Sequence, residues 1–152
     1  FVGGNLDVPA LPKELYGITE DRSAYAVLDV GGDDRGALAL GRYAPYLREE
    51  NDYEFLCVIN RFRPLTSTVA DTLAVMVEIQ SACGLRFTGL ANNSNLGRDT
   101  TQEVVLSSLA YAREVAKASG LPLRCTCAPE RLCARLADIP DLFPLRRAMK
   151  SL

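Results

Sequence analysis

The order of patterns along this sequence predicts an α/β fold. Apolar runs typical of strands alternate with segments of helical periodicity, and such alternation indicates βαβ units with a parallel sheet. The runs are apolar almost throughout, as expected for strands that are covered on both faces. Polar residues gather where the runs end, which is the edge where parallel α/β sheets bind ligands. We therefore expect a Rossmann-like, three-layer α/β/α domain with a mainly parallel sheet.

The length and composition are those of one globular domain, which we expect to span residues 1–152. The chain has 152 residues, of which 48% are hydrophobic and 24% charged, as is typical of a soluble protein with its own core. A net charge of −2 predicts no direct contact with nucleic acid. Every apolar run is much shorter than a membrane span, and residues 1–10 do not resemble a secretory signal. We expect a cytoplasmic protein without a membrane span.

Histidine is absent, which excludes Ser-His-Asp and Cys-His catalysis and histidine metal ligands within the chain. The five cysteines are irregularly spaced, and this favours reduced thiols over a disulfide framework. Cys125, Cys127 and Cys133 could be read as three ligands of one metal site. No fourth cysteine or histidine is near them in sequence, so we favour structural thiols, two on a strand and one on a helix.

Four strands are predicted along the chain, over residues 25–30, 53–60, 86–91 and 123–127. The run from 53 to 60 is the most continuously apolar, so we expect both of its faces to be covered. Residues 143–145 are read as part of the C-terminal tail.

Helices are predicted over residues 36–49, 66–83, 100–119 and 130–137. Gly41 and Pro45 predict a kink in the first helix or its division into two short pieces. Gly84 is expected to end the second, and a capping box at Thr100 to Glu103 to open the third. The apolar positions of these helices are Ala37, Leu40, Ala44 and Leu47; Val69, Leu73, Met76 and Val77; and Val105, Leu109, Ala112 and Ala116.

Asp29 closes the first predicted strand and is followed by Gly31 and Gly32. A parallel strand that ends in a carboxylate holds Mg²⁺, usually through water, in P-loop nucleotide hydrolases. A glycine just after it lets a backbone N–H approach a phosphate closely. The alternative is an ordinary strand-to-helix turn in which Asp33 or Asp34 caps the next helix. We favour Asp29, Gly31 and Gly32 as catalytic residues, with Asp29 as the Mg²⁺ ligand.

Asn92 and Asn93 stand at the end of the third predicted strand. An asparagine amide offers a paired donor and acceptor that suit a purine edge. Asparagine also favours turns because it tolerates left-handed backbone geometry, so both interpretations stay open.

Two further polar segments could reach the same edge. Asn5 and Asp7 lie in a predicted N-terminal loop, and Arg61 and Arg63 follow the second predicted strand. Arginine suits phosphate, but paired or solvated surface arginines are commoner. Ordinary loop chemistry is the favoured interpretation for both segments, and we retain Asn5 and Asp7 as candidate nucleotide contacts.

Taken as a set, five segments resemble the P-loop nucleotide-binding proteins of the CobQ/CobB/MinD/ParA type. More specifically, the chain is similar to a small bacterial family known mostly as nucleotide-binding proteins. The resemblance corresponds to the C-terminal two-thirds of such an ATPase and spans nearly the whole of this chain. The matching segments are NLDVPALP (5–12), LDVGGDDRGALALGRYAPYL (28–47), VINRFRPLT (58–66), FTGLANNSNLGRDTT (87–101) and GLPL (120–123).

The resemblance implies a parallel sheet with a site for ATP and Mg²⁺. It implies that Asp29 matches the Walker B aspartate and that Gly31 or Gly32 matches the switch glycine. It also implies that Asn92, with Asn93 beside it, matches the strand-end asparagine that reads adenine.

The resemblance also implies which residues lie beside the adenine base and how the protein assembles. Pro129 and Glu130 would lie in the loop that flanks the base. MinD-like relatives often pair face to face around nucleotide, so a homodimer is expected, with a protein partner that the sequence does not identify.

The chain departs from this family in one respect: no G-x-x-x-x-G-K-[ST] occurs in it. The segment with the P-loop lysine would precede Phe1, so we expect a partial domain that does not hydrolyse ATP as given. The alternative is a non-catalytic α/β module for protein contacts or a regulatory ligand. A dinucleotide-binding fold is disfavoured because no G-x-G-x-x-G follows a strand.

Overall fold

A computed structural model of the chain describes residues 23, 25–31 and 34–146. The chain divides into two compact units. The first comprises the chain up to Tyr53 together with Val77–Arg86, and the second comprises Glu54–Met76 and the chain from Phe87 onward. The architecture is α/β, with helices and a four-stranded, all-parallel sheet. This confirms the predicted fold class and is consistent with a three-layer α/β fold.

Helix α1, Asp34–Glu50, is the main described element of the first unit. It runs through Pro45 as one helix, so of the two predicted alternatives, a kink or a division into two pieces, the division is wrong. Its buried residues follow the helical spacing expected from the sequence, with the half-buried Leu47 at the margin. These buried residues are Ala37, Ala39, Leu40, Tyr43 and Ala44.

Gly41 allows α1 to pack closely against the chain near Cys83, within the same unit. A Cβ atom at Gly41 would lie 3.0 Å from the carbonyl oxygen of Ala82 and 3.3 Å from the Cα atom of Cys83. This glycine is therefore a packing residue and does not interrupt the helix.

Residues 25–30 do not form the predicted first strand, and this correction concerns the segment that carries Asp29. Residues 25–31 have no regular secondary structure. Tyr25 and Val27 are exposed by 105% and 93%, although a buried strand was expected. The apolar pattern is a local signal, but a strand also needs a neighbour that pairs with its backbone. None of the four described sheet strands supplies that neighbour for residues 25–31.

The sheet lies in the second unit and has the order β1-β2-β3-β4. Its strands are β1, Leu56–Ile59; β2, Gly89–Asn92; β3, Leu123–Pro129; and β4, Leu142–Leu145. The register aligns Ile59 with Asn92, Asn92 with Thr126, and Thr126 with Leu142. All four strands run in the same direction, so their carboxyl ends share one edge.

Three helices alternate with these strands: α2, Val69–Cys83; α3, Gln102–Ser119; and α4, Glu130–Cys133. Gly84 and Gly120 follow α2 and α3 with a φ of 70° each, the left-handed geometry that ends a helix. Thr101, one residue later than predicted, caps α3 by accepting a hydrogen bond from the N–H of Val104. In the described part of the chain, no helix has both the length and the apolar character needed to cross a membrane.

The two faces of the sheet differ in what covers them. We call one the Asn92 face; it carries Cys57, Ile59, Leu90, Asn92, Thr126 and Ala128. Right-handed crossovers between successive neighbours place their helices on the same side of a sheet, and α3 packs on this face. The cluster between this face and the helices comprises Val105, Ala128, Leu132, Leu136 and Ile139.

We call the opposite side the Cys125 face; it carries Leu56, Val58, Ala91, Cys125, Cys127, Phe143 and Leu145. Val58 is 62% exposed, which corrects the expectation that both faces of β1 are covered. Phe143 and Leu145 are also exposed, by 54% and 38%.

Two smaller expectations are also corrected in these elements. β4 was not predicted, because Pro144 and its short length made the segment resemble a tail; proline is tolerated here because β4 is an edge strand. Val77 was predicted to share one apolar side of its helix with Met76, but it is 60% exposed, whereas Met76 and Thr72 are buried.

Candidate functional site

The carboxyl edge of the parallel sheet brings together the ends of β1, β2 and β3, with four of the predicted site residues among them. Asn60 follows β1, Asn92 ends β2 and is followed by Asn93, and Pro129 ends β3 just before Glu130. These residues belong to the second unit. The expectation that these strand ends share one edge is confirmed for this part of the chain.

Asn60 organises the loop that follows β1. Its side-chain oxygen accepts a hydrogen bond from the N–H of Phe62 at 3.0 Å, which closes a local turn. Its side-chain nitrogen donates to the carbonyl of Asn95 at 3.3 Å. The carbonyl oxygen of Asn60 accepts from the hydroxyl of Thr66 at 2.7 Å. The loops after β1 and β2 are therefore joined by hydrogen bonds.

Asn92 is completely buried, and both ends of its amide have partners within the protein. Its nitrogen donates to the hydroxyl of Ser108 on α3 at 2.9 Å. Its oxygen accepts from the N–H of Ser94 at 3.2 Å. In this arrangement the side chain connects β2 to α3 and shapes the loop after β2, so a base could reach it only after the side chain rearranged.

The loop after β2 is held by further side chains of the same polar run. The hydroxyl of Ser94 accepts from the N–H of Arg61 at 3.1 Å, a second connection to the loop after β1. Asn95 donates to the carbonyl of Asn93 at 2.8 Å and accepts from the N–H of Gly97 at 3.0 Å. Asn93 is half-buried, so its amide is more accessible than that of Asn92, and its side-chain oxygen accepts from the amide of Asn95 at 3.2 Å.

The side chain of Arg61 is held by contacts within the protein. Its guanidinium donates to the carbonyl of Ser107 at 2.6 Å and lies 5.7 Å and 6.0 Å from the ring centroids of Phe62 and Tyr111. A cation held over aromatic rings is stabilised there by their quadrupoles. This supports the structural interpretation of Arg61, while Arg63 is exposed.

Glu130 is held by an arginine that follows β4. The Nε atom of Arg146 donates to both carboxylate oxygens, at 2.8 Å and 2.9 Å, and Nη2 lies 2.7 Å from Oε1. Such a bidentate pair fixes the carboxylate geometrically, although both side chains are largely exposed. Next to it, Arg131 donates to the carbonyl of Thr100 at 2.7 Å, which connects the loops after β2 and β3.

A buried hydroxyl pair supports this edge and was not anticipated from the sequence. The hydroxyl of Tyr111 donates to the carbonyl of Thr66 at 2.8 Å and lies 2.7 Å from the hydroxyl of Thr72. Burial raises the pKa of Tyr111. The only available signal was that Tyr111 lies three residues after Ser108 on the same side of α3.

The predicted phosphate-side residues belong to the first unit. Asp29 and Gly31 are exposed. The Gly31 carbonyl lies so close to Gly36 that a Cβ atom there would clash with it. Gly32, Asn5 and Asp7 lie outside the described residues. The juxtaposition of Asp29 with Asn92 therefore stays a prediction.

Two thiols of the second unit, those of Cys57 and Cys127, have raised pKa values and are protonated at neutral pH. Burial raises the pKa of Cys57 to about 11. Burial, together with the neighbouring Cys125, raises the pKa of Cys127 to about 12. Among the described residues, no group of three or more cysteine, aspartate or glutamate side chains could hold a metal ion. The three-cysteine arrangement considered from the sequence is thus not assembled there.

The polar atoms around this edge are otherwise satisfied internally. In the described part of the chain, every buried side-chain nitrogen and oxygen has a hydrogen-bond partner. A ligand at the carboxyl edge would therefore use the accessible groups of Asn93 and of the loop backbones. Comparison with known proteins adds no assignment, since no family model, curated protein or solved structure matches this chain.

Proposed function

We propose that this chain is the nucleotide-binding part of a MinD/ParA-like P-loop ATPase, with ATP and Mg²⁺ as its ligands. The main support is the polar carboxyl edge of the parallel sheet, where the loops after β1 and β2 are joined by Asn60, Ser94 and Asn95. Ligands of open α/β sheets bind outside the carboxyl ends of the strands. The edge is also preorganised, because its loops are fixed by internal hydrogen bonds before any ligand arrives.

The strand order adds a second argument. Sequential order with parallel strands means that the described sheet winds in one direction only. In a doubly wound sheet the ligand crevice lies where the direction of winding reverses. Since the winding does not reverse within β1-β2-β3-β4, the crevice of such a sheet would lie beside β1 or β4. β1 is one such end strand, and its carboxyl end carries the Asn60 loop.

Each proposed residue has a distinct role. Asn93 is the accessible amide for the base, while Asn92 holds the loop that presents it. Pro129 and Glu130 flank the base. On the phosphate side, Asp29 would hold Mg²⁺ through water, and its exposed carboxylate has the oxygen ligands that Mg²⁺ prefers.

The remaining candidates complete the phosphate side. Gly31 or Gly32 would present a backbone N–H to the γ-phosphate, and Asn5 and Asp7 would lie at the rim. Bound Mg²⁺ supplies neutralisation of phosphate charge. Because no Walker A sequence occurs in the 152 residues, the proposal for this chain is binding, and hydrolysis would need that loop.

Calorimetric titration with ATP, with and without Mg²⁺, tests the proposal. We expect Mg²⁺ to tighten binding, Asp29→Asn to abolish that gain, and Asp52→Asn to retain it; Asp52 is an exposed aspartate of the same unit. Absence of binding to the wild-type chain, or an unchanged Mg²⁺ effect in Asp29→Asn, would contradict the assignment. The same titration followed by light scattering tests the proposed homodimer.

A second candidate, a non-catalytic protein-interaction module, is favoured by one observation. Val58, Phe143 and Leu145 leave large apolar side chains exposed on the Cys125 face. Exposed apolar groups that share one face of a sheet are typical of contact surfaces. A chain that binds no nucleotide under the titration above would favour this function.

A further inference from the structure

Two thiols lie side by side on the Cys125 face. Cys125 and Cys127 are two residues apart on β3, so both side chains project from the same face of the sheet. Both cysteines are free and half-buried, which leaves them reachable from solvent. They form a pair of neighbouring sulfur donors on a rigid strand.

The surroundings of this pair offer no competing ligand from the neighbouring strands. Cys125 aligns with Ala91 on β2, and Cys127 aligns with Phe143 on β4. Alanine and phenylalanine provide an apolar wall but no donor atom. The pair is therefore a two-sulfur donor set with an apolar rim.

The other cysteines of the second unit face elsewhere. Cys133 directs its thiol to the carbonyls of Ala128 and Pro129, at 3.9 Å and 3.6 Å, and packs with the cluster on the Asn92 face. Cys57 lies on the Asn92 face as well. Cys133 is half-buried like the pair, so it is a matched control for their reactivity.

The number and type of donors select the ion. A structural zinc site needs four ligands, and among the described residues no group of three or more cysteine or acidic side chains could hold a metal ion. Soft thiolate ligands favour Cu(I), which accepts two ligands in a nearly linear arrangement. We propose that Cys125 and Cys127 form a two-thiolate binding site for Cu(I).

Binding involves no change of oxidation state. One Cu⁺ replaces the two thiol protons, one Cu–S bond forms to each sulfur, and two protons are released to solvent. The site lies on a face of the sheet and uses none of the residues proposed to bind nucleotide. The copper proposal is therefore tested independently of the proposed function.

An anaerobic titration of the full chain with Cu(I), in competition with a colorimetric Cu(I) chelator, tests the site. We expect the wild-type chain and Cys133→Ser to bind one Cu(I) with equal affinity. Cys125→Ser and Cys127→Ser should each lose that binding. X-ray absorption of the wild-type complex should show two sulfur neighbours and no other heavy ligand.

Protection from alkylation gives a second readout that needs no variant. Cu(I) should protect Cys125 and Cys127 of the wild-type chain from a thiol reagent, as followed by mass spectrometry, and leave Cys133 reactive. Failure of the wild-type chain to compete with the chelator would overturn the proposal. Equal binding by folded Cys125→Ser or Cys127→Ser, or protection of Cys133 instead of the pair, would overturn it as well.

Discussion

Asn92 shows how a strand-end amide can serve the fold. The sequence left open whether it reads a base or shapes a turn. In the structure it is fully buried between Ser108 and the N–H of Ser94. Sequence could place this residue at the correct edge because the preceding residues are apolar. It could not show the amide's partners, since Ser108 lies sixteen residues away on another element.

Replacing Asn92 by alanine should lower the free energy of unfolding by about 1–3 kcal/mol, because it leaves buried hydrogen-bonding groups without partners. Urea denaturation measures this change. Asn93→Ala is the control, and it should change stability by less than about 1 kcal/mol because its side chain is only half-buried. Equal losses for the two variants would contradict the structural role of Asn92.

The buried thiol of Cys57 predicts a dependence of stability on pH. Its pKa rises from 9.0 in the unfolded chain to about 11 in the folded protein because burial disfavours the thiolate. The unfolded state therefore loses the Cys57 proton at a lower pH than the folded state does. The contribution of Cys57 to the free energy of unfolding is thus complete below pH 9 and is lost as the pH rises toward 11. Cys127 acts in the same direction.

Unfolding free energies measured at several pH values in this window test the statement. We expect Cys57→Ala to reduce the fall in unfolding free energy across this pH window by on the order of 2 kcal/mol. Ile59→Val, a buried substitution on the same face of β1 that removes no titrating group, should leave the slope as it is. Parallel slopes for wild type and Cys57→Ala would refute the buried-thiol explanation.

At the scale of elements, the segments best predicted are those in which local pattern and tertiary environment agree. The apolar runs around β1, β2 and β3 were predicted within a few residues, as were the helices closed by Gly84 and Gly120. β4 was missed because a short edge strand with a proline carries almost no local signal. The predicted strand at residues 25–30 failed for the opposite reason: its pattern was clear, but a strand also depends on a pairing neighbour.

At Gly41 we expect the substitution Gly→Ala to have the opposite of its usual effect on helix stability. Gly→Ala inside a helix normally adds about 0.5–1 kcal/mol of stability. Here the new methyl group would lie 3.0 Å from a backbone carbonyl oxygen, which cannot move away as a side-chain end could. We expect Gly41→Ala to destabilise the protein by about 1 kcal/mol.

Thermal denaturation compares this variant with Arg42→Ala, at the adjacent exposed position of α1. The control should stay within about 0.5 kcal/mol of wild type. A Gly41→Ala protein that is more stable than wild type would show that α1 does not pack as closely as described.

In the molecule as a whole, the proposed nucleotide site depends on the parallel sheet and its polar carboxyl edge. The edge could be predicted from sequence, because every parallel strand delivers its end to the same side. The relation between the Asp29 segment and this edge could not, because it depends on pairings that no local pattern specifies.

The most direct test is a ¹H–¹⁵N NMR titration of the chain with ATP and Mg²⁺, which detects weak binding and locates it. We expect amide shifts to concentrate at residues 60–66, 93–101 and 129–131, the loops at the carboxyl ends of β1, β2 and β3. Shifts confined to other parts of the chain, or no shifts at saturating nucleotide, would contradict a nucleotide-binding site at this edge.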